Sequence, residues 1–415
     1  LIIFEMANNH MGDMSHAINI IETYGKLAKK YPFNFAFKLQ YRHLDTFIHP
    51  DFKNRVDIKY IKRFVETKLS EKQFNRLIKT IREEGFLAIS TPFDEQSVNL
   101  IDKQDLDYIK IASCSMTDWP LLERVSKSRK EVIVSTAGSN LKEIQSVVNF
   151  FKNRDIKINI LQCVGKYPTK DNELNIGQIE FLKNTFPDLK IGFSTHETPD
   201  NFDAISIAIS KGATILEKHV GLPNGTYSNN LYSASPDQVK KWLDKASDTY
   251  KMIGKIDARY NITKSETEVL KSLKRAIFVN KKIKKGTKII EYKGKIISVK
   301  KSAEDPKFDN DKAIYLFNIN KRFDLDGDFK FNTARLINHS CSPNCEVLGE
   351  GYKVWVYAIK DIKKGDELSY DYGFSFDEDF QNYPCRCGAK DCAKFIIREG
   401  SRWRIKKSKL YKSHK

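Results

Sequence analysis

Apolar residues recur along the first part of the chain in eight short runs, at residues 1–6, 33–40, 85–91, 107–113, 131–136, 157–163, 189–195 and 213–220. Their length and composition predict strands. Between them lie amphipathic stretches such as residues 70–85, where Ser70 is placed to cap a helix and Gly85 to end it. Eight strand–helix alternations over about 250 residues predict an α/β protein built on a parallel (β/α)8 TIM barrel. A doubly wound open sheet is the alternative, but no G-x-G-x-x-G follows the first strand to favour it.

In a barrel the strand ends converge on one mouth. Here they carry Glu5, then Lys38 and Gln40, Thr91, Lys110 and Ser113, Ser135 and Thr136, Tyr167, Ser194 and His196, and Glu217 and His219. A lysine inside an apolar strand is costly unless it meets an anion, so Lys38 and Lys110 among hydroxyls suit a phosphorylated or carboxylated substrate. His196 and His219, on consecutive strand ends, can share a divalent metal, and Glu5 can bind metal or substrate. Any one of these residues reads most simply as a satisfied strand-end polar group. Their joint occurrence at every strand end reads as a site.

The pattern changes near residue 270. Ile277 and Val279 lead into Lys284-Lys285-Gly286, and Ile289, Tyr292 and Ile296 follow, which predicts a basic β-hairpin. Charge divides at the same place: of the formal +18, residues 1–270 hold 38 Lys+Arg against 34 Asp+Glu, and residues 271–415 hold 33 against 19. Such a basic part suits nucleic acid or another polyanion, and equally a solvated lysine-rich face. Cys114 and Cys163 stand alone in the first part, whereas Cys341, Cys345, Cys385, Cys387 and Cys392 crowd into the second. An odd number with C-x-C spacing describes reduced cytoplasmic thiols around a metal rather than a secreted disulfide framework. No apolar run is long enough to span a bilayer, so a soluble protein with no membrane association is expected. Leu1 opens directly on an apolar strand, so residues are expected upstream of it.

The runs EMANNHMG, FKLQ, ISTPFD, YIKIAS, VSTAGS, QCVGKYPT, GFSTHE and LEKHV resemble, in order, those of the sialic acid synthase family over about residues 1–255. The resemblance implies condensation of phosphoenolpyruvate with an open-chain 2-acetamido sugar such as N-acetylmannosamine, giving a nonulosonic acid and phosphate. It implies Mn2+ or Mg2+ held by His196 and His219 to polarise the sugar aldehyde. Lys38, Lys110, Thr91, Ser113, Ser135 and Ser194 would cradle phosphate and carboxylate, Glu5 would hold the sugar hydroxyls, and Gln40 and Tyr167 would complete the substrate set. Ser115 stands where an acidic residue is common in the family, and Gly165 where Asn is. Both bear on the sugar rather than on phosphoenolpyruvate. Family members usually end in a small antifreeze-like domain that reaches over a partner's active site, hence a homodimer, and SLKRAIFVNKKIKKG fits its opening.

Downstream, EYKGKIIS, YLFNI, RLINHSCSPNC, IKKGDELSYDYGF and CRCGAKDC resemble instead a SET domain with a post-SET zinc segment, a protein-lysine methyltransferase type, over about residues 272–400. The resemblance implies S-adenosylmethionine as methyl donor and a lysine-bearing protein as acceptor. Transfer from a sulfonium is an in-line displacement by a neutral amine, which calls for a narrow tunnel with polar oxygens near the methyl group. Tyr372 is expected against methyl and amine, Tyr315 and Phe374 along an aromatic lysine channel, and Tyr292, Arg335, Asn338, His339 and Tyr370 around the cofactor. Cys385, Cys387 and Cys392 supply only three of the four ligands of a closed zinc site. The resemblance makes Cys341 the fourth and leaves Cys345 an ordinary thiol. Lys274-Arg275-Ala276 departs from the family's G-x-G, and Phe331-Asn332 from its G-N.

The expected layout is a synthase-like barrel over 1–262, a linker over 263–271, a mostly-β SET domain over 272–384, a zinc segment over 385–400 and an unstructured basic tail over 401–415. The leading expectation is a cytoplasmic bifunctional transferase. The competing one leaves the barrel or the SET half inactive, with the basic C-terminal part binding nucleic acid or protein.

Overall fold

The structure, a computed structural model, describes residues 1–256, 258–273, 276–308 and 315–407. It divides into two compact units, Leu1–Tyr260 and Asn261–Lys415.

In the first unit eight parallel strands close into a barrel in chain order: β1 (Ile2–Glu5), β2 (Phe35–Tyr41), β3 (Leu87–Pro92), β4 (Tyr108–Ile111), β5 (Glu131–Ser135), β6 (Ile158–Cys163), β7 (Ile191–Thr195) and β8 (Ile215–His219). Alternation along each strand sorts the side chains. Ile3, Ala36, Ile89, Ile133, Leu161 and Ile215 form one apolar cluster within the barrel. Their neighbours Ile2, Phe4, Phe35 and Phe37 face outward and pack with Tyr24, Leu77 and Trp242 of the surrounding helices. Each such side chain buried stabilises the fold by about 1.5–3 kcal/mol. The helix Glu71–Glu83 begins with the expected cap, a reciprocal pairing of Ser70 and Gln73, and ends before Gly85, whose φ of 88° suits only glycine comfortably.

The second unit is rich in short strands: β9 (Lys288–Tyr292), β10 (Lys295–Ser298), β11 (Leu316–Asn318), β12 (Phe323–Asp326), β13 (Asn338–His339), β14 (Cys345–Glu350), β15 (Lys353–Ala358) and β16 (Ser369–Tyr370). They form sheets ordered β14-β15-β9 and β10-β12-β11, and a two-stranded pair β13-β16.

The basic hairpin expected over 277–296 does not form. Residues 277–283 pair instead with a second lysine-rich turn. Ile283 and Ile362 exchange both backbone hydrogen bonds, at 2.9 and 2.8 Å, and the Leu368 N–H donates to the Ile277 carbonyl at 2.8 Å. The reason is a repeated pattern, Ile283-Lys284-Lys285-Gly286 and Ile362-Lys363-Lys364-Gly365. Both glycines take positive φ, 80° and 88°, so the two turns match. Pairing them buries Val279, Ile283, Ile362 and Leu368 in one core with Val356 and Tyr370.

Within the segment expected as a linker, Lys264–Leu273 is helical. The tail is structured as far as it is described. Trp403–Lys407 is helical, Ile405 is buried against Phe380 and Ile397, and Arg402 donates to the Cys341 carbonyl and to Asp371 at 2.7 Å each. Its lysine content masks these two anchoring residues. Lys274, Arg275 and residues 408–415 lie outside the described residues. Among the described residues no helix is long and apolar enough to cross a membrane.

Candidate active sites

Two residues beyond the inner apolar cluster, on the same strand faces, come Glu5, Lys38, Thr91, Ser135 and Glu217. Register then decides which of them meet. β1 pairs with both β2 and β8, which aligns Glu5 with Lys38 on one side and His219 on the other. Lys38 Nζ lies 2.5 Å from Glu5 Oε2 and 2.9 Å from Glu217 Oε2, with all three side chains buried. Glu5 also accepts from the Ala7 N–H at 2.6 Å, and Glu217 from Ser194 Oγ at 2.9 Å. Lys110 Nζ donates to Ser135 Oγ at 2.5 Å and to the Ile111 carbonyl at 3.2 Å.

These surroundings separate the four charges. Burial raises the Glu5 carboxyl, Lys38 opposing and Glu217 adding to the rise. For Glu217 the penalty of burial is outweighed by Lys110 and Lys38, and its pKa falls. Burial opposes the charge on Lys38, but Glu217 and Glu5 hold its pKa above the ordinary value. Burial draws Lys110 down to about 8, with Glu217 opposing. One carboxyl is thus firmly ionised and its neighbour is the readier to hold a proton.

His196 and His219 lie with ring centroids 5.2 Å apart. His196 Nδ1 is 3.0 Å from the Val164 carbonyl, which leaves Nε2 for another partner. His219 Nδ1 is buried with no hydrogen-bond partner among the described residues. Burial lowers both imidazoles, His196 to about 4, so both are neutral, as metal ligands must be. An orphaned buried nitrogen beside a second neutral imidazole fits a divalent cation. Tyr167 stands over His196 at 4.2 Å and Tyr232 over His219 at 5.1 Å between centroids. Thr91 Oγ1 is buried without a partner among the described residues, Ser113 Oγ accepts from the Ala137 N–H at 3.1 Å, and Gln40 Oε1 accepts from Arg42 at 2.9 Å.

Sequence reasoning recorded Glu217 only as a strand-end residue and passed over its part as the second partner of Lys38. It also passed over a wholly buried pair, Lys218 Nζ to Glu197 Oε1 at 2.8 Å. Alternation held the signal: Lys218 faces away from Glu217 and His219 into the outward apolar layer, where a lysine demands a partner. The pair ties the residue after His196 to the residue before His219. Lys218→Met, which strands Glu197, is expected to cost about 3–5 kcal/mol, and Lys218→Met with Glu197→Leu to recover most of it. Urea unfolding of both variants measures the difference.

In the second unit β13 and β16 pair in parallel, which sets the NHSC run beside SYDYG. His339 Nδ1 accepts from the Tyr372 N–H at 3.1 Å, and its Nε2 lies 3.6 Å from Cys341 Sγ. Tyr372 Oη donates to the Ile337 carbonyl at 2.9 Å. Burial pushes the Tyr372 phenol up to about 12, so it keeps its proton. The rings of Tyr292, Phe317, Tyr370, Tyr372 and Phe374 follow one another at 4.5–6.0 Å between centroids. Phe317 is the member the candidate residues lacked, although it sits in the YLFNI run. The Arg335 guanidinium lies 4.9 Å from the Tyr315 ring, and Asn338 Nδ2 donates to Glu367 at 2.7 Å.

The sulfurs of Cys341, Cys385, Cys387 and Cys392 all lie within 4.8 Å of one another. Cys341 Sγ is 3.7 Å from that of Cys385 and 4.0 Å from that of Cys392. Thiolates at ~2.3 Å from a tetrahedral zinc stand ~3.8 Å apart, so the set fits zinc. The N–H groups of Ala393 and Lys394 point at Cys341 and Cys392 Sγ, at 3.4 Å each. Cys345 lies apart, buried in the apolar core.

A parallel barrel with a charged, metal-capable mouth, followed by a strand-rich unit with four gathered cysteines, matches two known families. Residues 33–258 match the NeuB family and residues 274–373 the SET domain. The chain belongs to the NeuB family, that of the sialic acid synthases, and carries a SET domain after its barrel. It is 28% identical over 293 residues to the N,N'-diacetyllegionaminic acid synthase of Campylobacter jejuni, spanning 69% of this chain and 86% of that one. The second part is 34% identical over 129 residues to the histone-lysine N-methyltransferase trithorax of Drosophila virilis, 29% of this chain but only 3% of that longer protein. The solved structure of a protein assigned to spore coat polysaccharide biosynthesis (protein E) from Chromobacterium violaceum is 36% identical, with a TM-score of 0.68, over 89% of this chain and 97% of its own.

Proposed function

We propose that the chain joins two group transfers: condensation of phosphoenolpyruvate with a 2-acetamido sugar in the barrel, and methylation of protein lysine from S-adenosylmethionine in the SET domain. The observation that carries the first is the buried Glu5–Lys38–Glu217 triad beside two neutral imidazoles. Mn2+ or Mg2+ held by His196 and His219 would supply Lewis-acid polarisation of the sugar aldehyde. Lys110 and the hydroxyls of Ser113, Ser135 and Ser194 bind phosphate and carboxylate. Attack by carbon 3 of the enol turns the aldehyde oxygen into an alkoxide that needs a proton, and Glu5 is the carboxyl readier to carry one. The cation left at carbon 2 takes up water, and the resulting hemiketal phosphate expels inorganic phosphate to leave the keto acid. In the SET domain the aromatic series shapes a tunnel for a neutral lysine. The Tyr372 phenol, fixed by the Ile337 carbonyl, presents its oxygen to the transferring methyl.

Release of inorganic phosphate from phosphoenolpyruvate with a panel of 2-acetamido sugars tests the first half, and no release with any of them overturns it. Radiolabelled methyl transfer to basic proteins, with Tyr372→Phe as control, tests the second. A protein that S-adenosylmethionine does not saturate is a binding module instead. The Lys110 ammonium also sets a pH dependence. It loses its proton as pH rises through about 8, so kcat/KM for phosphoenolpyruvate is expected to fall above that pH.

A further inference from the structure

The two lysine-rich turns paired in the second unit put like charges side by side. Ile283 and Ile362 form an antiparallel bridge, and both enter the apolar core. The residues flanking each isoleucine therefore point away from that core. The register sets Lys282 opposite Lys363 and Lys284 opposite Asp361. Lys281, Lys285 and Lys364 extend the same ribbon, and all six lysines are exposed. Like charges directly opposite one another in a sheet are destabilising, so the arrangement costs the fold stability.

Little in the chain offsets that cost. Among the described residues Lys282 has an ion pair, with Asp361 at 3.7 Å, and the other five lysines have none. Two carboxylates stand in the ribbon, and both are engaged by its backbone. Asp361 accepts from the Lys285 N–H at 3.0 Å, and Asp366 from the Lys363 N–H at 2.9 Å. The Lys285 N–H first, then Lys282 and Lys284, hold the Asp361 carboxyl below its ordinary range. Lys288, the next lysine along the chain, is the contrasting case. It is neutralised by Glu350 at 2.7 Å and lies over the Trp355 ring at 4.3 Å.

We propose that these paired turns bind the phosphate backbone of a nucleic-acid duplex. The residue types select that partner. Lysine is a point charge on a flexible stem and meets phosphate without reading a base, and residues 281–286 and 360–365 hold no arginine to grip a base edge. They hold no aromatic residue either, whereas a single strand is held by rings on which its bases stack. A protein partner would call for an aromatic or apolar centre, from which lysine is depleted. A duplex asks only for positive charge repeated along a line. The steps from Lys281 to Lys285 span at most ~13 Å, over which a duplex presents about eight charges. That is enough for every lysine of the ribbon.

The full chain is titrated into fluorescein-labelled DNA and RNA duplexes of about 20 base pairs, and anisotropy is followed from about 50 to 200 mM salt. Six phosphate contacts predict an affinity for duplex DNA that falls about 1,000-fold over that range, equally for two unrelated sequences. Lys284→Gln, Lys285→Gln, Lys363→Gln and Lys364→Gln together are expected to flatten the slope of log K against log salt by about four. The same four positions changed to Arg are expected to keep it, which separates loss of charge from loss of fold. Lys26→Gln, Lys30→Gln, Lys72→Gln and Lys142→Gln remove equal charge from exposed positions of the first unit and are expected to leave the slope unchanged. Absence of wild-type binding to either duplex at the lowest salt, a slope unmoved by the first variant, or an equal loss in the first-unit variant overturns the surface. Tighter binding to a single strand or to an acidic polypeptide than to the duplex overturns it too.

Discussion

Lys38→Met is expected to destabilise the barrel by about 3–5 kcal/mol at pH 7 and to abolish its phosphate release. Methionine keeps the stem of the lysine and removes only the charge. What remains is Glu5 and Glu217, both buried, with nothing between them. Glu217 owes its lowered pKa to Lys110 and Lys38, against the penalty of burial. A carboxyl with a depressed folded pKa contributes stability above its unfolded pKa and loses it as pH falls through the folded one. Burial already holds Glu5 above its unfolded value in the wild type; without Lys38 the two carboxylates repel, both pKa values rise, and the variant gains stability as pH falls through them. The deficit of the variant should therefore be large at pH 7 and shrink as pH drops through the carboxylate range. Adding Glu5→Gln removes one of the stranded charges and should recover part of it. The measurement is urea unfolding at pH 7 and pH 5, followed in the barrel's own transition because the two units need not unfold together. Equal stability of variant and wild type at pH 7 would show that solvent already neutralises the carboxylates, contrary to their burial.

Alternation made the barrel legible, because each strand declares its inner and outer faces within a few residues. The same alternation listed the polar strand ends. It did not say which of them touch, since that depends on how β1 closes onto β8, a contact between residues more than two hundred positions apart. Glu217 became the second partner of Lys38 only through that closure. Arg42, whose guanidinium lies 4.2 Å from the Phe64 ring and 3.7 Å from the Phe93 ring, shows the same limit, because the two rings lie on different elements and nothing local announces either. The failed hairpin is the converse case. Ile277–Gly286 carries a sound local signal, but the pattern returns at Ile362–Gly365, and a local pattern cannot choose between a near partner and a distant copy of itself. Three of the four gathered cysteines were visible as a spaced group. Cys341 followed only from the family's motif, and its sulfur reaches them because β13 lies against β16.

Stripping the cysteine cluster of metal, by chelation or by Cys385→Ser, is expected to lower methyl transfer at least as much as Tyr372→Phe does, while leaving the barrel's phosphate release unchanged. The segment around the cysteines buries little of its own. Its apolar cluster is Phe380, Ile397 and Ile405, with Phe376, Ala393 and Phe395 partly buried beside them. A zinc held by four thiolates is worth about 10–16 kcal/mol in isolated zinc-finger peptides, far more than so small a core provides. The loss reaches Tyr372 by a short path. Cys341 Sγ lies 3.6 Å from His339 Nε2, and the other ring nitrogen of His339 accepts from the Tyr372 backbone at 3.1 Å. Arg402 adds a second path, bonding the Cys341 carbonyl and the carboxylate of Asp371, the residue before Tyr372, at 2.7 Å each. With the cluster open, His339 and Arg402 lose their shared anchor and Tyr372 loses its fixed orientation. Limited proteolysis should then cut between residues 375 and 407 before it cuts the barrel, and readdition of zinc to the chelated protein should restore both resistance and methyl transfer. Methyl transfer that persists with the metal removed and the segment cut would mean that the β13–β16 pairing alone holds Tyr372 in place.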